Sequence, residues 1–292
     1  MAFLTAVKFA LTSLATAVVL GANVFGIVTT VFTQSWTTTV NGVTAIATGG
    51  DLDGVPNTLQ NITLAPAPED SMLWVPSNLQ NRFAGGQAGN ALTDSNLQHA
   101  VVRTMNVRPL TVTDLDQETY YLSEGGTDVG GPFAVDFKDG KAYVANLHSD
   151  DVTVLSADAM APVEITSTSA GRSPIGVVTH PTNRRAYVAN WLSRDVTVID
   201  TETDAVVATV SSASTEPLPA GLLNGKQLFF SSTGAMSSNQ ATACASFHPF
   251  GGSDGSTWDF SQFGTFDRST PDLRNSQNTA PHNWTATMDE FQ

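Results

Sequence analysis

The chain has 292 residues, 41% of them apolar, with 27 acidic and 13 basic side chains and a net charge of −14. So acidic a surface is a poor partner for nucleic acid or for an anionic membrane. A single cysteine excludes an intrachain disulfide framework and any zinc site built on several thiolates.

Lys8 is the only charged residue before Asp51. The uncharged run from Phe9 to Phe32, rich in Ala, Val and Leu, suits a secretory signal and is also long enough to span a bilayer. Residues 1–33 are therefore expected to act as a signal peptide or membrane anchor. The mature chain would then be periplasmic, secreted or held at the cell surface.

The middle of the chain repeats. KAYVANLHSDDVTVL (141–155) matches RAYVANWLSRDVTVID (185–200), with Tyr143 and Tyr187, and Val152 and Val196, each 44 residues apart. Upstream, GPFAVDFKDG (131–140) matches SPIGVVTHPTN (173–183). A weaker third copy spans residues 61–82, with Trp74 in the place of the tyrosine and an insertion at about 83–108. A partial unit lies near 36–48. Within each unit β-branched residues alternate with period two, and Asn and Asp supply turns, so each unit reads as four short strands. Four strands per period of about 40 to 45 residues is the signature of a propeller blade. The doubled Tyr-Val-Ala-Asn resembles the YVTN family of propeller repeats, which implies blades over residues 36–212. Two clear blades and one degraded blade fall short of the about four that closure takes.

After Pro217 and Pro219 the pattern changes. Residues 217–232 read as a linker and a short helix. ACASFHPF (243–250) then places the lone Cys244 four residues before His248. C-x-x-C-H is the attachment signature of c-type haem, and here Phe247 stands where its second cysteine would be. The segment 217–292 resembles the cytochrome c peroxidase-like, haem-binding domains that follow YVTN propellers. The resemblance rests on Gly225–Phe229, Cys244–Pro249, Ser253–Phe260, Ser269–Arg274 and Thr279–His282, in that order. It implies a thioether from Cys244 to haem c, His248 as the proximal ligand of its iron, and Phe247 and Trp258 packed at the porphyrin edge. It also implies a truncated domain with no second motif. Met236, His282 and Met288 are candidate sixth ligands.

His99, His148 and His180 read as loop or surface residues. Asp150 and Asp151 read as turn caps, and Arg184 and Arg185 as a solvated hairpin. No nucleophile–base pair or phosphate loop appears, so an enzymatic activity is left open. The expected fold is mainly β: an incomplete or small β-propeller with a loop-rich, partly helical C-terminal cytochrome c-like segment. Two functions follow. One is an exported haem-binding electron-transfer protein with single-cysteine attachment and a redox partner of unknown identity. The alternative is a propeller binding or scaffold module whose haem segment is vestigial.

Overall fold

The structure, a computed structural model, describes residues 38–40, 43–45, 55–57, 61–67, 72–80, 98–106, 117–122, 129–157, 164–237, 242–258 and 268–278. The expected export segment 1–33, the insertion tip, and the candidate ligands His282 and Met288 lie outside these residues. Among the described residues no helix is long and apolar enough to cross a membrane.

The fold is mainly β. A short hairpin pairs β1 (Thr38–Val40) with β2 (Val43–Ala45). The first large sheet contains β3 (Val55–Asn57), β4 (Thr63–Leu64), β5 (Met72–Gln80), β6 (Gln98–Asn106) and β7 (Gln117–Tyr121), all antiparallel. The middle sheet is an up-and-down meander of β8 (Pro132–Lys138), β9 (Lys141–Asn146), β10 (Asp151–Ser156) and β11 (Glu164–Ser169). The last sheet repeats that order with β12 (Pro174–Thr179), β13 (Arg185–Asn190), β14 (Asp195–Asp200) and β15 (Ala205–Ser211).

The 44-residue repeat is reproduced strand for strand. Tyr143 pairs with Val154 and Ala145 with Val152 in the middle sheet. Tyr187 pairs with Val198 and Ala189 with Val196 in the last. Turn chemistry sets these registers. Asp139 (φ 51°) and Gly140 (φ 76°) both take left-handed conformations between β8 and β9, as a two-residue hairpin turn requires. Asp150, Arg194 and Asp204 end four-residue turns with positive φ.

The sheets stack face on face, as propeller blades do. Trp74, Ala100 and Val102 of the first sheet pack against Val135, Ala142 and Val144 of the middle one. Trp74 meets Phe137 edge-on with ring centroids 5.3 Å apart. The opposite face of the middle sheet, with Tyr143, Val152 and Val154, packs on Ala186, Val188 and Ile199 of the last. Alternation places successive side chains on opposite faces, which lets one strand such as β9 serve both cores.

The stretch 98–106, within the expected insertion, is instead a nine-residue strand paired along its whole length with β5. Its Gln98, His99, Arg103 and Thr104 are buried. Polar residues inside a sheet core hide the alternation that marks a strand.

The C-terminal part is loop-rich and partly helical. It contains α1 (Ala220–Phe230), the single turn α2 (Cys244–Phe247), and a small hairpin of β16 (Thr257–Trp258) with β17 (Arg268–Ser269). Pro219 precedes α1, and Pro249 follows the end of α2, where a pre-proline residue disfavours helix.

Candidate functional site

Both meanders turn at one end through equivalent loops, residues 147–150 and 191–194. The C-terminal part sits on these turns. Leu147 and Leu192 form one apolar cluster with Phe230 of α1 and Ala245 of α2, flanked by Phe229 and Trp191. Trp191 and Phe230 meet edge-on at 4.8 Å.

His148 locks this joint. Its Nδ1–H donates to the carbonyl of Phe230 at 2.8 Å. The Ser232 N–H donates to the His148 carbonyl at 2.9 Å. Burial pushes the imidazole pKa down to about 4, against a small upward pull from the Phe230 carbonyl. The ring lies on Gly131, whose φ is +64° and where a Cβ would fall 2.4 Å from His148 Cδ2. His148 lies in the 147–150 turn, as expected of a loop residue, but its side chain is buried, whereas His99, also expected in a loop or at the surface, is a buried residue of β6, which corrects that expectation. No local signal reports this for His148, because its partner lies 82 residues away. His180 does lie in a turn, where its Nδ1 accepts the N–H groups of Thr182 and Asn183.

The α2 turn puts Cys244 and His248 one helical turn apart, with the His248 N–H bonded to the Cys244 carbonyl at 2.9 Å. The Cys244 thiol is exposed. His248 is half-buried, and its Nδ1 lies 3.1 Å from the Gly252 carbonyl and 3.0 Å from that of Pro271. Carbonyls only accept, so Nδ1 carries a proton, which in the neutral tautomer leaves the lone pair on Nε2. That tautomer is the one an iron-ligating imidazole uses when its other nitrogen is anchored. An exposed thiol and an imidazole anchored at Nδ1 are thus the two donors this turn presents.

Phe247 and Trp258 come together, edge to face at 5.0 Å. Trp258 is buried and donates from Nε1 to Thr270 Oγ1 at 3.1 Å. It supports Phe247 from beneath as part of the local core. Met236 is exposed. Among the described residues no group of three or more His, Cys, Asp or Glu side chains is arranged to hold a metal ion.

Two further features belong to the same end of the molecule. A cavity of about 270 Å³ lies beside the 191–194 turn, lined by Asn190, Trp191, Arg194, Leu223 and Lys226 among others. Lys226 Nζ sits 4.0 Å from the Trp191 ring centroid, a cation–π contact. The turn carboxylates are spent on structure. Asp150 accepts the Ser173 N–H at 2.7 Å, and Asp151 accepts Asn146 Nδ2 and the hydroxyls of Ser149 and Ser167. Arg184 and Arg185 pair with Glu202 and Asp200 on the opposite hairpin end.

No protein-family model matches the chain, and no curated protein matches it. Its sheets are similar to parts of several solved structures. Hydrazine synthase of Kuenenia stuttgartiensis aligns at 17% identity and TM-score 0.42, over 51% of this chain and 47% of that one. The periplasmic gluconolactonase PpgL of Pseudomonas aeruginosa aligns at 16% identity and TM-score 0.35, over 56% of each chain. The WD40 repeats of RRP9 align at 10% identity and TM-score 0.38, over 55% of this chain and 40% of that one. The chain thus spans about half the length of these proteins or less. Likeness at this level carries no activity across. The propeller-like character rests on the stacked four-stranded meanders themselves.

Proposed function

We propose that the chain is a propeller-type binding scaffold that carries the Cys244–His248 turn as a fixed element at the loop end of its sheets. The observation behind this reading is the joint between the 147–150 turn and α1: one buried imidazole, two hydrogen bonds and a shared apolar cluster. A cofactor domain hung on a loose linker would need none of these. Limited proteolysis tests the reading. Residues 217–258 should resist cleavage as well as the meanders do, and His148→Ala should expose them selectively. Rapid release of 217–258 from the wild-type chain, leaving the meanders protected, overturns it.

A second reading, exported single-thioether haem attachment, is favoured by the carbonyl-anchored Nδ1 of His248. Cys244 would tether the ring and His248 Nε2 would ligate the iron. Phe247 leaves the second thioether unmade. Haem bound there would supply a one-electron centre. Expression through a c-type maturation pathway, followed by a denaturing gel stained for haem, tests this. Stain on the wild type and none on Cys244→Ala supports attachment. No stain on either leaves the scaffold reading alone.

A further inference from the structure

The middle and last sheets end in equivalent turns, and α1 touches both, but beside the second the chain leaves a cavity. At the 147–150 turn the end of α1 is bonded directly to the buried His148 ring. In the last sheet Trp191, Leu192 and Arg194 stand where Leu147, His148 and Asp150 stand in the middle one. Here a cavity of about 270 Å³ opens between the turn, the linker at Leu218, and Leu223 and Lys226 of α1.

The differences between the two turns set what this niche can hold. Asp150 spends its carboxylate on the Ser173 N–H. Arg194 puts the opposite charge in that place, on a left-handed backbone (φ 54°) that Asn and Asp adopt more readily. Its guanidinium donates to Glu216 Oε1 at 2.9 Å, and the same oxygen accepts the Leu218 N–H at 2.7 Å. This ion pair holds the linker as one wall of the cavity and carries no net charge. Lys226 is the other cation on the wall. It is half-buried and lies 4.0 Å from the Trp191 ring centroid, and among the described residues no carboxylate pairs with it. Leu192, Leu218 and Leu223 supply the apolar lining.

A half-buried ammonium beside leucine walls is best matched by a counter-charge carried on an apolar body. We propose that this cavity binds a small organic monocarboxylate, with the carboxylate on Lys226 Nζ and the apolar body among Leu192, Leu218 and Leu223. Lys226 is the single cation of the lining without a carboxylate partner, so one negative charge balances it. The volume equals that of roughly nine water molecules at about 30 Å³ each, which admits a single ring or a branched chain of similar size. An inorganic anion would leave the leucines uncovered, and a neutral apolar molecule would bury the ammonium further without a partner. The cavity needs α1 docked on the sheets, so the inference rests on the scaffold reading.

Isothermal titration calorimetry of the full chain with phenylacetate and with 4-methylpentanoate tests this, with circular dichroism confirming the fold of each variant. At least one of the two acids should bind saturably at one site, with a Kd of about 1 mM or below. The corresponding amide, and acetate alone, should bind about tenfold more weakly or worse. Lys226→Met, which keeps an unbranched stem on Trp191, should weaken binding by a similar factor. Arg184→Met, at the opposite hairpin end, should leave it unchanged. No saturable binding of either acid overturns the inference. So does equal binding of the amide or of acetate, and so does binding that Lys226→Met leaves intact. Limited proteolysis of the same sample separates the two failures. Residues 217–258 protected without carboxylate binding leave the scaffold reading standing, whereas their rapid release removes the cavity wall and overturns both.

Discussion

The imidazole of His148 and the carbonyl of Phe230 form a buried hydrogen bond of 2.8 Å that ties the middle sheet to the last residue of α1. The bond needs a proton on Nδ1. Burial favours the neutral ring, against the pull of the carbonyl, and holds the pKa at about 4. An unfolded histidine titrates near 6.5.

Stability should therefore fall on acidification. Above pH 6.5 both states are neutral at this site and it contributes no slope. Between about 6.5 and 4 the unfolded chain takes up a proton that the folded chain does not, which costs up to roughly 3 kcal/mol by the lower end. Burial raises the carboxyls of Asp150 and Asp151, and a raised carboxyl acts with the opposite sign. Comparison with His148→Gln isolates the histidine. Melting temperature followed from pH 7.5 to 4 should drop steeply for the wild type and less steeply for the variant. Parallel slopes would remove His148 from the account.

Tyr143 and Asp204 should be energetically coupled. The phenol donates to Asp204 Oδ1 at 2.7 Å across the joint between sheets, and burial together with the carboxylate keeps it protonated. Tyr143→Phe should cost about 1–3 kcal/mol, the range for a hydrogen bond to a charged group. Asp204→Asn should cost more, because Lys141 also loses its partner. A double-mutant cycle in urea should return a coupling of about 1 kcal/mol or more. Additive effects would contradict the joint.

Gly131→Ala and Gly140→Ala should differ sharply. Both glycines have positive φ, but a Cβ at Gly131 would strike the His148 ring, while at Gly140 it would meet nothing within 4 Å. Gly140→Ala should cost about 1–2 kcal/mol from backbone strain alone. Gly131→Ala should add a packing penalty of about 1–3 kcal/mol. Equal losses would mean that the imidazole does not rest on that glycine.

Much of this organisation is legible in the sequence, for identifiable reasons. The Tyr-Val-Ala-Asn repeats carry both the strand period and the turn residues, so sheet order and face follow from local pattern. Trp74 is recognisable as the tyrosine's counterpart because it too is turned toward the following sheet. The strand at 98–106 is not legible, because Gln98, His99 and Arg103 interrupt the apolar alternation while lying inside the core. His148 is not legible because its role depends on a helix end far along the chain. The one-turn spacing of Cys244 and His248 is written in the motif, whereas the carbonyls that orient His248 come from Gly252 and Pro271 and need the folded loop.

The most direct test of the scaffold reading is a distance across the joint. Cys244 is the chain's only cysteine and is exposed, so a spin label goes there without further change. A second label at Thr203→Cys, an exposed turn position at the far end of the last sheet, completes the pair. Pulsed electron paramagnetic resonance on dilute protein should give a single narrow distance distribution that broadens in His148→Ala. A broad distribution in the otherwise wild-type chain would mean that the Cys244–His248 turn is tethered to the sheets but not held by them.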